Sequence, residues 1–183
     1  MHLRYREDKA TQAAARLLTL AGGAMNHMKL IKLLYLADRR ALLSSGRPIT
    51  FDWYVSMPHG PELSFTLDKI NDVAPPDGSS YWHTVISERK GNEVCLLGPA
   101  PSDQLSAAEE QLLDATYAEF GAMSQWQIRD FSHSLPEWRD PDGSSVPIRI
   151  KDILLSEGLS EDDAREVLEA LGAEEFADRL LAE

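Results

Sequence analysis

Apolar positions recur at helical spacing through the first third of the chain, then give way to short mixed runs punctuated by Gly and Pro. Residues 7–21 (EDKATQAAARLLTLA) predict a helix that Gly22-Gly23 ends. Asn26 is placed to cap a second helix over 27–44. That stretch, HMKLIKLLYLADRRALLS, is apolar on most faces, and Lys29, Lys32, Arg39 and Arg40 break its surface. A helix apolar nearly all round belongs at the centre of a fold, with Lys29 and Lys32 read as a solvated stripe. Gly46 stops it and Pro48 bars its continuation.

FDWYVSM (51–57) is aromatic and β-branched and reads as a strand. GPELSFTLDKIND (60–72) reads as a short helix with Pro61 near its first turn. Pro58-His59-Gly60-Pro61 is then a stiff corner joining strand to helix. APPDGSS (74–80) reads as a loop, while YWHTVIS (81–87) and EVCLL (93–97) predict a hairpin turning near Gly91. Ser106-x-x-Glu109 and Ser124-x-x-Gln127 are capping boxes, opening helices to about Phe120 and His133. LPEWRDPDGSS (135–145) reads as a loop, and PIRIKDILLSEG (147–158) as a short helix stopped by Gly158. Ser160-x-x-Asp163 opens another helix through DAREVLEAL, and a last helix is expected over 174–182.

The sum is an α+β fold: a mainly helical single domain with a small antiparallel sheet of about three strands. Residues 1–150 form the expected domain, and 151–183 an acidic helical extension packed on it. No internal repeat is present.

Charge sharpens the picture. Residues 1–50 hold nine Lys/Arg against three Asp/Glu, net +6; residues 51–183 hold nine against 27, net −18. The stretch 152–183 alone has two basic and 11 acidic residues, net −9. Such a surface repels phosphate backbones and steers a basic partner towards it. No run approaches the roughly 18 apolar residues of a membrane span, and MHLRYREDKA lacks the apolar core of an export signal. The expectation is a cytoplasmic protein. Cys95, the sole cysteine, rules out an intramolecular disulfide and is expected to pack as a small hydrophobe.

Catalytic candidates fare poorly. His59 sits between two prolines and could move protons near neutral pH, but no GxSxG elbow accompanies it. Its expected role is to bond a backbone carbonyl and fix the corner, where Gly60 supplies a φ that other residues resist. Ser132 and His133 are adjacent on a helix and point about 100° apart, so they do not form a dyad. A charged His133 at a helix C-terminus would instead stabilise the dipole. Trp138 is either a lid on the core or an anchor for a partner. His2, His27, His59, His83 and His133 show no metal-ligand spacing, and no glycine-rich phosphate loop is present. No metal or other cofactor is expected. Residues 10–44 have the spacing of a helix-turn-helix, but LIKLLYLA exposes too few polar side chains to read bases.

MKLIKLLYLADRRALLSSGRPIT (28–50) followed by YVSMPHGPELS resembles the opening motif of the Panacea domain, the SocA-like antitoxin family, which includes proteins of the GepA type. The resemblance rests on Lys29, Leu30, Lys32, Leu33, Leu34, Tyr35, Gly46, Pro48, Ile49, His59, Gly60 and Pro61. Ser132-His133 with Pro136 and Trp138 resembles the family's later element. The chain departs from the pattern at Glu62, where an aliphatic residue is expected, and at Glu137, which separates Pro136 from Trp138. The resemblance covers about residues 10–140. It implies a type II antitoxin that neutralises a cognate protein toxin by direct binding, without enzyme activity or cofactor. The partner surface it suggests comprises Trp53, His59, Gly60, Pro61, Glu62, His133, Pro136 and Trp138. Delivery of the toxin to a protease is an alternative to masking it. The competing functions are a DNA-binding autoregulator of the operon and, less favoured, a hydrolase using His59 and His133.

Overall fold

Asn26 does what its position predicts: its Oδ1 accepts the Met28 and Lys29 amides at 3.0 and 3.3 Å and opens the long central helix. The computed structural model describes residues 3–72 and 80–181. Among these residues the order is α1 (Glu7–Leu20), β1 (Ala24–Asn26), α2 (His27–Ser45), β2 (Tyr54–Met57), β3 (Gly60–Leu63), α3 (Ser64–Ile70) and α4 (Trp82–Val85). Then follow β4 (Glu93–Cys95), α5 (Ala107–Phe120), α6 (Gln125–His133), β5 (Val146–Pro147), α7 (Ile150–Ser156) and α8 (Glu161–Leu181). The architecture is a mainly helical α+β domain with two small antiparallel sheets, β1-β4 and β3-β2-β5. Both expected capping boxes are made, Ser106 with Glu109 and Ser124 with Gln127.

Helices α1, α2 and α5 pack on one another around a continuous core. Leu17, Leu18, Leu30, Leu33, Leu34 and Leu42 are all sealed from solvent in it. Ile153, Leu154, Ala164 and Leu171 of α7 and α8 join the same cluster.

Several elements depart from the sequence reading. YWHTVIS is not a strand. Glu7 Oε1 accepts the Trp82 amide and the Ser80 hydroxyl, both at 3.0 Å, and closes a helical turn there. That turn buries Trp82, Val85 and Ile86, spaced i, i+3, i+4 rather than alternately. The chain still reverses near Gly91, with Ile86 bridged to Leu96 and Lys90 to Glu93, but Glu93–Cys95 finds its ladder on β1. The start of the third helix moves from residue 60 to Ser64, because the Asp52 carboxylate accepts the Phe65 and Thr66 amides at 2.8 and 2.9 Å. The two helices expected after Ser160 are one. Gly172 costs α8 roughly 1 kcal/mol relative to Ala, yet Leu171 is buried and Glu174 is bound to Arg47, so the helix runs through. The loop read at 74–80 lies almost wholly outside the described residues, as do His2 and residue 182.

Asp38, among the cations of α2 in sequence, is fully buried. Its carboxylate accepts the Ile49 and Thr50 amides, both at 3.0 Å, the Thr50 hydroxyl, and the Tyr54 hydroxyl at 3.2 Å. It thereby fixes the turn between α2 and β2. Burial pushes its pKa from 3.8 up to about 7, against the pull of the Thr50 bonds. Between those values the folded state binds a proton that the unfolded chain has lost, so this group's contribution to stability falls as pH rises. Asp38→Asn keeps the acceptor for two amides and removes the titration, and the two hydroxyls can turn to accept from its NH₂. In denaturant titrations, the wild-type midpoint is expected to fall relative to Asp38→Asn as pH is raised from about 4 to about 7. Parallel pH profiles would show that Asp38 titrates normally.

Candidate partner-binding site

The corner is a β-turn between strands, not a strand-to-helix joint. Met57 pairs with Gly60, Ser56 with Pro61 and Val55 with Glu62, leaving Pro58-His59 as a two-residue turn. Pro61 is tolerated because β3 is an edge strand. Gly60 has φ +100°, which L side chains resist. A Cβ there would also overlap Ser132 Oγ and lie 3.1 Å from Lys32 Nζ and 3.2 Å from His133 Cδ2. The glycine therefore lets the hairpin press directly against α2 and the end of α6.

Lys32 is not part of a solvated stripe. It is fully buried, donating to Pro61 O and Glu62 Oε1, both at 2.9 Å. Burial pulls its pKa down to about 8, and the Glu62 carboxylate limits the fall. One turn further along, Glu137 is buried beneath the 135–138 loop. It accepts the Tyr35 hydroxyl at 2.8 Å and Arg39 Nε and Nη2 at 2.7 and 3.1 Å. Arg39 also bonds Glu157, just beyond α7. Burial works against the Arg39 charge, but the bonds to Glu137 and Glu157 outweigh it and raise its pKa. Burial, then the Glu137 charge, hold the Tyr35 phenol well above its usual value, so the phenol stays protonated and donates.

The loop after α6 is clamped to the hairpin. Trp138 Nε1 donates to Met57 O at 3.1 Å, and the Arg139 amide donates to Ser56 Oγ at 3.2 Å. The His133 ring stacks on Trp138 with centroids 4.2 Å apart and planes 18° apart. Burial, then Lys32 and Arg129, lower the His133 pKa. The charged, dipole-stabilising histidine expected from the sequence is thus disfavoured here. Its Nε2 is buried, and the Pro58 carbonyl beside the ring pulls the pKa the other way.

The structure brings seven of the eight candidate residues together and separates one. Gly60, Pro61 and Glu62 are buried and build the corner, while Pro58, His59 and Pro136 are exposed and His133 and Trp138 half-buried beside them. Among the described residues His59 has no hydrogen-bond partner, so the carbonyl contact expected of it is not seen there; the hairpin and the loop clamp hold the corner. Trp53 lies at the other end of the β2–β3 hairpin, where it lines a separate pocket. Among the described residues no hydrogen bond or ion pair joins the His59 or His133 imidazole to a carboxylate. Among the described residues no three His, Cys, Asp or Glu side chains are grouped to hold a metal ion, and no helix is long and apolar enough to cross a membrane. Sequence reasoning missed Lys32, Tyr35 and Arg39 as one bonded stripe, although their i, i+3, i+7 spacing puts them on a single helical face.

Residues 30–139, more than half the chain, match the family model described as "Antitoxin SocA-like, Panacea domain". No curated protein and no solved structure gives a match.

The buried pair yields a direct test. Glu62→Leu leaves the Lys32 charge without its carboxylate and is expected to cost about 3–5 kcal/mol of unfolding free energy. Lys32→Met combined with Glu62→Leu should recover most of that loss, because the pair is replaced by apolar volume. Losses of Lys32→Met and Glu62→Leu that simply sum in the double variant would mean that the two side chains do not interact. Gly60→Ala should cost roughly 1–3 kcal/mol by forcing the hairpin off Ser132.

Proposed function

The chain belongs to the antitoxin SocA-like, Panacea-domain family, and from that premise we propose that it is a type II antitoxin which neutralises its cognate toxin by binding it directly. Family membership supports an antitoxin role in general. The observation that carries the finer reading is the clamped corner. The exposed Pro58, His59 and Pro136, with His133 and Trp138 between them, stand on a hairpin turn and a loop bonded to each other and to α2. A surface already held in place loses little conformational freedom on binding. Gly60, Pro61 and Glu62 support that surface from beneath.

Residues 1–150 would act as the neutralising domain in the cytoplasm, with 151–183 as its acidic extension. The exposed Asp162, Glu166 and Glu169 on α8 would speed the approach of a basic toxin. The operator-binding alternative has less support, since the cations of α2 are engaged within the fold: Lys32 with Glu62, Arg39 with Glu137, Arg40 with Glu119, and Lys29 with the Gly121 carbonyl at 2.6 Å.

The test is co-expression with the growth-arresting product of an adjacent gene. Growth should be restored, the two proteins should co-purify, and toxin abundance should stay constant. His59→Asp with Pro136→Ala, both on exposed positions, should weaken the complex about ten-fold or more without lowering the melting temperature. Restored growth with depleted toxin would mean delivery to a protease. Failure of the wild-type chain to bind any such neighbour would overturn direct neutralisation.

A further inference from the structure

At the end of the β2–β3 hairpin away from the Pro58-His59 turn lies a pocket of about 520 Å³. That volume falls within the range of roughly 300–1,000 Å³ typical of small-molecule sites. Its walls come from distant parts of the chain: Tyr5 before α1, Phe65 on α3, Ile148 before α7 and Leu168 on α8. Most of the lining is apolar, and Phe65 keeps 43% of its surface in solvent at the site.

The walls are held before any ligand arrives. Tyr5 OH and Thr66 Oγ1 are hydrogen-bonded at 3.2 Å, and the Tyr5 and Phe65 rings lie 5.4 Å apart. The Asp52 carboxylate, which also borders the pocket, is occupied by the Trp53, Phe65 and Thr66 amides and the Thr66 hydroxyl. These four donors tie it to the start of α3 and offset its charge.

Two cations, Arg149 and Lys151, are in the lining. Arg149 is exposed, and its guanidinium makes no hydrogen bond or ion pair among the described residues, in a chain with 30 acidic and 18 basic residues. Lys151, also in the lining, pairs with Glu161 at 2.6 Å in a solvent-exposed contact. Exposed pairs of this kind contribute roughly 0–1 kcal/mol, so Lys151 can exchange partners cheaply. A preformed apolar cavity beside an uncommitted guanidinium suits a guest with an apolar body and one anionic end.

We propose that this pocket binds a small amphiphilic carboxylate, its aliphatic or aromatic body between Tyr5, Phe65, Ile148 and Leu168 and its carboxylate on Arg149, with Lys151 in support. The site is independent of the toxin-facing corner, so its test does not depend on neutralisation.

The probes are octanoate, 1-octanol and acetate, titrated calorimetrically into the full chain. Octanoate should bind saturably at one site, 1-octanol at least about ten-fold more weakly, and acetate not at all. Leu168→Trp fills the cavity and should abolish octanoate binding. Arg149→Ala, at an exposed position that leaves the fold intact, should weaken it about ten-fold while leaving 1-octanol unchanged. No saturable octanoate binding would overturn the proposal. So would equal affinity for 1-octanol, or octanoate binding indifferent to Arg149→Ala.

Discussion

Two buried carboxylates, Glu62 and Glu137, set the arrangement of everything around α2. A helix that is apolar on nearly every side has little to distinguish one facing from another, since Leu packs against Leu in many rotations. Lys32 and Arg39 remove that freedom. A cation buried from water is tolerable only where a carboxylate meets it, and the carboxylates are supplied by segments 30 and 98 residues away. A one-residue slip of β3 would present Pro61 or Leu63 to Lys32 in place of Glu62. The ion pairs therefore select a register, even where an apolar substitute would match them in stability. The corner and the 135–138 loop then inherit their positions from the rotation of a single helix.

The same logic accounts for the uneven charge of the chain. The basic surplus of the first fifty residues is largely spent inside the fold, on acids from later segments. Lys9 meets Glu109, Arg16 meets Asp114, Arg40 meets Glu119 and Arg47 meets Glu174. These contacts join α1 and α2 to α5, and the turn after α2 to α8. Taken singly, the exposed pairs contribute little to stability. Together they guide which surfaces meet. What remains outside is an acidic excess, and its clearest stretch is the outward face of α8.

Elements set by local chemistry were legible in the sequence. Asn26, Ser106 and Ser124 cap helices where the pattern places them, because capping needs only a side chain and amides two or three residues away. Elements set by distant partners were not. The helical turn at Trp82 depends on Glu7, some 75 residues earlier, and the start of α3 depends on Asp52. β1 has only three residues and forms because β4 lies opposite. The site shows the same division. Its exposed corner residues stood out as a Pro-His-Gly-Pro run, whereas Lys32 looked solvated because no local feature announces that Glu62 will cover it.

That division bears on Glu62 and Glu137, the two positions that the sequence alone set apart from the motif it resembles. Glu62 and Glu137 flank the corner and the loop in sequence, so both look like alterations of an exposed binding surface. Both in fact point inward, onto Lys32 and onto Tyr35 and Arg39. The side chains left facing outward are those of His59 and Pro136. A partner would register these departures only through the placement of the hairpin and loop. Under the proposed function, the geometry of the clamp, rather than new contacts at its surface, is how these two carboxylates would tune recognition.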